Sequence, residues 1–290
     1  METTRMGATL AGSELLESLR EEAVRFLDED LSNLMGEAWG DERMWTAPLL
    51  GAARGDDPIF ETFKDWVDPR HWTPADAFAA GGFEAGPEEL CVVSWILPHN
   101  PLTKQDNARQ KDMPSERWAR SRIFGEPANM KLRARMTEFL RDAGYEAVAP
   151  MSLPGWTQLN SERYVYVSNW SERHAAYACG LGTFGLCDGL ITPVGKAIRI
   201  GSVVLRGQID PTPRPYTRYD EYCPFKTKKT CGACIRRCPA GAISERGHDK
   251  RLCSDYLDDI TAPYVQERYG FKGYGCGLCQ TGVPCSAGIP

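Results

Sequence analysis

Eight of the eleven cysteines fall in the last quarter of the 290-residue chain: Cys223, Cys231, Cys234, Cys238, Cys253, Cys276, Cys279 and Cys285. In a reducing compartment, cysteines gathered in this way read as metal ligands rather than disulfides. Eight thiolates are what two [4Fe–4S] cubanes take, at four each. The chemistry on offer is the transfer of single electrons, and the rest of the chain must supply a destination for them.

The spacing says more than the count. Cys231-x-x-Cys234-x-x-x-Cys238-Pro239 is the second half of the bacterial two-cluster ferredoxin run, in which the cysteine before proline reaches across to the other cluster. The usual first cysteine would fall at Lys228, so Cys223 is the nearest replacement and a longer loop must return it. The partner run is Cys276-x-x-Cys279, followed by Cys285 after five residues rather than three, and Cys253 completes the set. Crossing the two runs assigns Cys223, Cys231, Cys234 and Cys285 to one cluster. The other takes Cys238, Cys253, Cys276 and Cys279. One cluster plus a structural zinc fits this spacing less well.

The elements that must position these ligands come in a fixed order. Residues 13–28 have a helical apolar face (Leu15, Leu16, Leu19, Ala23, Phe26, Leu27) behind a Ser13 cap. Residues 36–90 are rich in Gly, Pro, Trp and Asp and read as loops and short helices over a core. Cys91–Ile96 is a buried strand with Cys91 as an inert core thiol, and the turn after it carries His99, a structural residue on this reading. A second amphipathic helix spans 129–143 and ends at Gly144; a strand follows at 145–149. Residues 150–170 are irregular and aromatic. Ser171 caps a short helix that runs into GLGTFG (180–185), formally the dinucleotide fingerprint G-x-G-x-x-G. A helix rather than a strand precedes it and no acidic residue follows at the right distance, so the glycines signal tight turning or close approach, not a Rossmann site. Residues 189–193 and 198–206 read as two strands joined at Val194 and Gly195. The proline-rich stretch 211–222 divides residues 1–210 from a cysteine module at 211–290.

Composition narrows the class. A net charge of −5 and a pI near 5.5 argue against a dedicated nucleic-acid binder. Basic runs such as Arg117, Arg120 and Arg122, or Lys226, Lys228 and Lys229, read as solvated faces. No apolar run approaches transmembrane length, and the N-terminus shows neither a twin-arginine pair nor a signal-peptide core; a cytoplasmic protein is the expectation.

Residues 171–285 resemble the epoxyqueuosine reductase and reductive dehalogenase superfamily. The resemblance spans about 40% of the chain and rests on SERHAAYACGLGTFG (171–185), GLITPVGKAIRIGSVV (189–204), CGACIRRCPAGAI (231–243), CSDYL (253–257) and YGCGLC (274–279); DAGYEAVAP (142–150) adds a loose match. It implies an α/β (α+β) chain: a nitroreductase-like domain holding base-off cobalamin, then a small ferredoxin-like domain with two [4Fe–4S] clusters. The clusters would reduce the cobalamin to its cobalt(I) state, with reduced ferredoxin or flavodoxin as electron donor. Positions matching the corrin-contacting region are Gly180, Gly182, Gly185, Ile191, Thr192 and Pro193. No D-x-H-x-x-G motif is present, so no histidine ligand to cobalt is expected.

Aligned on Glu172-Arg173 and on Gly180-Leu181-Gly182, the catalytic aspartate of epoxyqueuosine reductases falls on Tyr166. Tyrosine is the proton donor of reductive dehalogenases, and a nearby cation such as Arg173 would assist it; a packing aromatic is the plain alternative. The chain ends five residues after Cys285, before the helical-repeat region many epoxyqueuosine reductases use with tRNA, so a small-molecule substrate is favoured over tRNA. Cys179 and Cys187, flanking the glycine turn, read as buried structural thiols rather than redox-active ones. The leading expectation is a cobalamin-dependent iron–sulfur reductase. The alternatives are an electron-transfer or activating protein serving a partner corrinoid protein, and an epoxyqueuosine reductase acting on tRNA.

Overall fold

The computed structural model describes residues 12–290. In chain order, α1 (Gly12–Glu29), β1 (Leu49–Arg54), α2 (Ile59–Trp66) and α3 (Pro74–Ala80) lead to β2 (Leu90–Pro98), α4 (Pro101–Ala108) and α5 (Glu116–Asp142). Then come β3 (Ala147–Val148), β4 (Gln158–Ser161), β5 (Val165–Ser168), α6 (Glu172–Ala178), β6 (Thr183–Phe184), β7 (Leu190–Ile191) and β8 (Ile198–Arg206). The last stretch holds α7 (Pro224–Lys228), α8 (Ala233–Arg236), β9 (Ile243–Ser244), β10 (Gly247–His248), α9 (Lys250–Tyr256) and α10 (Ala262–Tyr269).

An antiparallel sheet in the order β1-β2-β8-β3 forms the centre. β2 is buried at every position, which explains its unbroken apolar sequence: a strand covered on both faces has no solvent side to alternate with. Its period of two still sorts the faces. Val93, Trp95 and Leu97 meet Leu15 and Leu19 of α1 and Leu132 and Met136 of α5. Val92 and Ile96 meet Phe60 and Phe63 of α2, Phe78 of α3 and Ala176 of α6. The result is a sheet between two helical layers, the α+β class expected from the sequence.

Three elements differ from the sequence reading. β1 (LLGAAR) carries few strong strand formers, yet pairs along its whole length with β2. α5 begins at Glu116, capped by Ser115, and runs through Pro127, well ahead of the expected start at 129. Its buried residues (Trp118, Ser121, Gly125, Ala128, Leu132) continue across the proline, so packing carries the helix past a residue that would end an exposed one. The segments 189–193 and 198–206 do not form a ladder together: β7 pairs with β6 and β8 joins the main sheet, with only a Thr192–Gly195 bridge between them.

The cysteine-rich stretch folds as short helices and a β9–β10 hairpin. Leu186 and Ile191 share an apolar cluster with Cys223, Phe225, Cys234, Ile243, Val283 and Cys285, so this stretch seats directly on the β6–β7 unit. Among the described residues no helix is long and apolar enough to cross a membrane.

Candidate functional site

The cysteines gather around two cavities. Cys223, Cys231, Cys234 and Cys285 line the first, with Gly185, Leu186, Ile191, Lys196, Phe225 and Val283 as its apolar and charged walls. It has about 20 Å³ as it stands, so a cubane would need the four thiols to part. Cys238, Cys253, Cys276 and Cys279 lie on the wall of a much larger cavity of about 1390 Å³. These fours are the ones that the crossed spacing groups together. Among the described residues no three His, Cys, Asp or Glu side chains surround a single-ion site. Four thiols in each set match the ligand count of one cubane.

Backbone anchoring explains how distant loops deliver these thiols. Asn107, at the end of α4, donates from Nδ2 to the Cys276 carbonyl and to Thr281 Oγ1, both at 3.0 Å, while its Oδ1 accepts from Ser115 N–H. Arg237 donates to the Leu278 carbonyl and to the carbonyls of Asn107 and Gln110. The Cys276–Cys279 loop is thereby tied to the α4–α5 connection. At the other end, the Lys196 N–H donates to the Cys285 carbonyl at 3.0 Å. A Cβ on Gly195 would overlap the Ser286 carbonyl, so the Cys285 loop lies directly on the turn after Thr192.

Lys196 is buried and its Nζ lies 3.2 Å from Cys187 Sγ. Burial alone would lower its pKa, but the Cys187 thiol and those of Cys285, Cys279 and Cys234 outweigh it and hold the ammonium above its ordinary value. Cys187 in turn stands within hydrogen-bonding reach of Cys234 and Cys279, one from each four; these contacts, opposed by burial and aided by Lys196, pull its thiol well below the usual range. Sequence reading places Cys187 among the buried structural thiols. It is buried, but it touches both sets of cysteines and lines the large cavity. Cys179, by contrast, donates to the Val92 carbonyl inside the sheet core, and burial raises its thiol pKa, the behaviour of a packing residue.

Tyr166, Arg173, His174 and Phe184 line the same large cavity as the second four. Tyr166 sits on β5, its hydroxyl donating to the Lys250 carbonyl at 3.1 Å while Lys250 Nζ donates back to the Tyr166 carbonyl at 2.8 Å. Arg173 and His174 ride on α6, whose first residue is fixed from beneath. Glu172 accepts from Ser202 Oγ at 2.5 Å and pairs with Arg133 Nε at 3.2 Å, while Arg133 also pairs with Glu126 at 2.9 Å. Burial raises the Glu172 carboxyl pKa, and Arg133 and Ser202 offset part of that. His174 Nδ1 sits 2.8 Å from Ser171 Oγ, and His71 behind it accepts from the Ser171 N–H. Burial takes His71 down to about 4, so it is neutral at physiological pH.

Of the six positions matched to the corrin-contacting region, Gly185 alone lines the large cavity. Gly180 and Gly182 are needed for packing: a Cβ at Gly180 would press on the Pro213 carbonyl, and one at Gly182 would overlap the Ile191 carbonyl. Ile191 walls the first cysteine cavity, and the Thr192 hydroxyl closes its own turn on the Gly195 carbonyl at 2.6 Å. Pro193 belongs to that turn. The cavity wall comes instead from the end of the glycine motif and the residues after it, Phe184 to Gly189. His99 lies off this wall, stacked between Trp45 and Trp118 with ring centroids 4.4 Å from each.

Lys196, Asn107, Arg237 and His174 are the site residues that spacing could not supply. The first three act through sulfur or backbone atoms of residues far along the chain. His174 had one signal, its place beside Arg173 in SERHAA.

No family model matches the sequence. Two curated epoxyqueuosine reductases, from Bacillus anthracis and Bacillus cereus, are each 27% identical over 194 residues, covering 63% of this chain and 46% of theirs. The chain thus spans about half the length of the curated relatives it matches. A catabolic reductive dehalogenase of known structure superposes with a TM-score of 0.52 over 100% of this chain and 34% of that one; at 14% identity, that likeness shows the fold.

Proposed function

From a chain similar in sequence to epoxyqueuosine reductases and in fold to a reductive dehalogenase, we propose a two-domain reductase, divided near residue 210. It would carry electrons through two [4Fe–4S] clusters into a cobalamin-bearing cavity and spend them on a small-molecule substrate. The observation that carries this reading is the placing of Cys238, Cys253, Cys276 and Cys279 on the same wall-bounded space as Tyr166, Arg173 and His174. A cavity of about 1390 Å³ is larger than small-molecule pockets of roughly 300–1,000 Å³. It suits a macrocycle with a substrate above it, and Phe184 to Gly189 would line the macrocycle. When bound, the clusters supply single electrons and cobalamin supplies the reactive metal centre.

The chain's own residues do the rest. Cys223, Cys231, Cys234 and Cys285 would hold one cluster, and Cys238, Cys253, Cys276 and Cys279, on the cavity wall, would hold the other. Tyr166 Oη, now committed to the Lys250 carbonyl, is the proton source on the substrate side. Arg173, carried on the pinned end of α6, adds a positive field there. Trp66, Trp156 and Phe184 give the space part of its apolar lining.

Anaerobic titration with cob(II)alamin after iron and sulfide reconstitution tests this. The expected result is a saturable spectral change and retained corrinoid. Clusters without corrinoid retention would instead favour an electron-transfer protein that serves a partner. The names of the sequence relatives support a second reading of the substrate, epoxyqueuosine in tRNA. Turnover of an epoxyqueuosine-bearing stem–loop would establish it.

A further inference from the structure

Lys196 is 2% exposed, and its side chain bonds Cys187 Sγ at 3.2 Å and also reaches the Cys285 thiol. The thiols that share its cavity are those of Cys223, Cys231, Cys234 and Cys285. A buried ammonium is costly unless something of opposite charge faces it. An apolar residue of the same length would fill this space at less cost, so the charge asks for a reason.

Its surroundings supply one. Lys196 lines the cavity formed by Cys223, Cys231, Cys234 and Cys285. Its own N–H holds the Cys285 carbonyl, and the preceding Gly195 makes room for the Cys285 loop. The main-chain bond thus fixes Lys196 against the Cys285 loop, and its side chain reaches Cys187, which lines the large cavity together with the other set. Reducing a cluster by one electron adds one negative charge to it. A fixed cation in a water-poor site favours that form over the oxidised one.

We propose that Lys196 is the built-in counter-charge of the cluster held by Cys223, Cys231, Cys234 and Cys285, raising its reduction potential, and that Cys187 orients the ammonium without ligating iron. The inference rests on the two-cluster reading above. Lys196 is a positioning residue, so the readout is a potential rather than turnover.

The experiment is an EPR-monitored redox titration of the reconstituted full chain, with iron quantified, for wild type, Lys196→Met, Lys196→Arg and Cys187→Ser. Lys196→Met should keep its iron while one cluster's midpoint moves to more negative potential and the other's moves less or not at all. Lys196→Arg should stay close to wild type, and Cys187→Ser should keep full iron content. Unchanged midpoints in Lys196→Met at full iron would overturn the proposal. So would loss of about half the iron in Cys187→Ser, because that thiol would then be a ligand. If Lys196→Met takes up no cluster, Lys196→Arg decides: wild-type iron and potential support the charge, and failure of both variants overturns it. Wild-type protein without iron would overturn the cluster reading itself, a result distinct from any of these.

Discussion

Gly277 sits between two proposed cluster ligands, and replacing it with alanine separates loop geometry from ligand chemistry. Its φ is +65°, and a Cβ there would overlap the Trp118 indole at Cε2. Left-handed backbone costs a non-glycine residue roughly 1–2 kcal/mol. Forcing an extra methyl into a packed site typically adds about 1–3 kcal/mol. Trp118 has little freedom to yield: it is buried, stacked on His99 and part of the long α5 helix. Gly277→Ala should therefore cost about 2–5 kcal/mol, a large share of the roughly 5–15 kcal/mol that holds a domain together. Gly275, two residues earlier, is the control. Its φ is ordinary, and a Cβ there would meet Trp118 and Arg122 at 3.4 and 3.6 Å, normal contact distances. Gly275→Ala should stay within about 0.5 kcal/mol of wild type. Anaerobic denaturant melts with iron analysis give both readouts: Gly277→Ala loses stability and about half its iron, and Gly275→Ala loses neither. Equal behaviour of the two variants would refute the argument, since it rests wholly on the difference between these glycines.

Other perturbations follow from the same geometry. Cys238→Ser and Cys285→Ser should each lower iron from about eight to about four per chain, because each removes a ligand from a different cluster; loss of all iron from either would argue against independent sites. Tyr166→Phe should cut turnover by about 10²–10⁴-fold while leaving corrinoid binding unchanged, and near-normal turnover would remove it as proton source. Arg133→Met leaves Glu172 buried without its cation and should cost about 3–5 kcal/mol, measured by chemical denaturation. His71 titrates near 4 when folded against 6.5 unfolded, chiefly because it is buried. The unfolded chain thus binds the extra proton first as pH falls, and stability should drop by about 3 kcal/mol between pH 6.5 and 4 from this residue alone. His71→Gln should flatten the pH dependence in that window, and an identical slope in the variant would contradict the assignment.

The cysteine spacing was the most legible part of the sequence, because ligand geometry constrains intervals directly. Spacing sets Cys223, Cys231, Cys234 and Cys285 apart from Cys238, Cys253, Cys276 and Cys279, and these two groups line different cavities. The α1 stripe and the β2 core strand were legible for the same kind of reason, a period imposed by burial. What stayed hidden depended on distant contacts. Pro127 masked the first half of α5, whose stability comes from Trp118 and Gly125 packing rather than local propensity. Small residues masked β1. Lys196 looked like an ordinary polar residue at a turn, since nothing local says that Cys187 and Cys285 will fold over it. The glycines of GLGTFG were readable as close-approach positions, but Gly180 and Gly182 approach the chain itself rather than a ligand.

On the proposed function, the second cysteine set brings a cluster to the wall of a cavity that takes a corrinoid. Low-temperature EPR of reconstituted protein, loaded with cob(II)alamin and partly reduced, tests it most directly. The expected result is a cob(II)alamin signal broadened by the adjacent reduced cluster, with loss of that broadening in Cys253→Ser. A sharp, unperturbed cob(II)alamin signal beside a fully reduced cluster would contradict it.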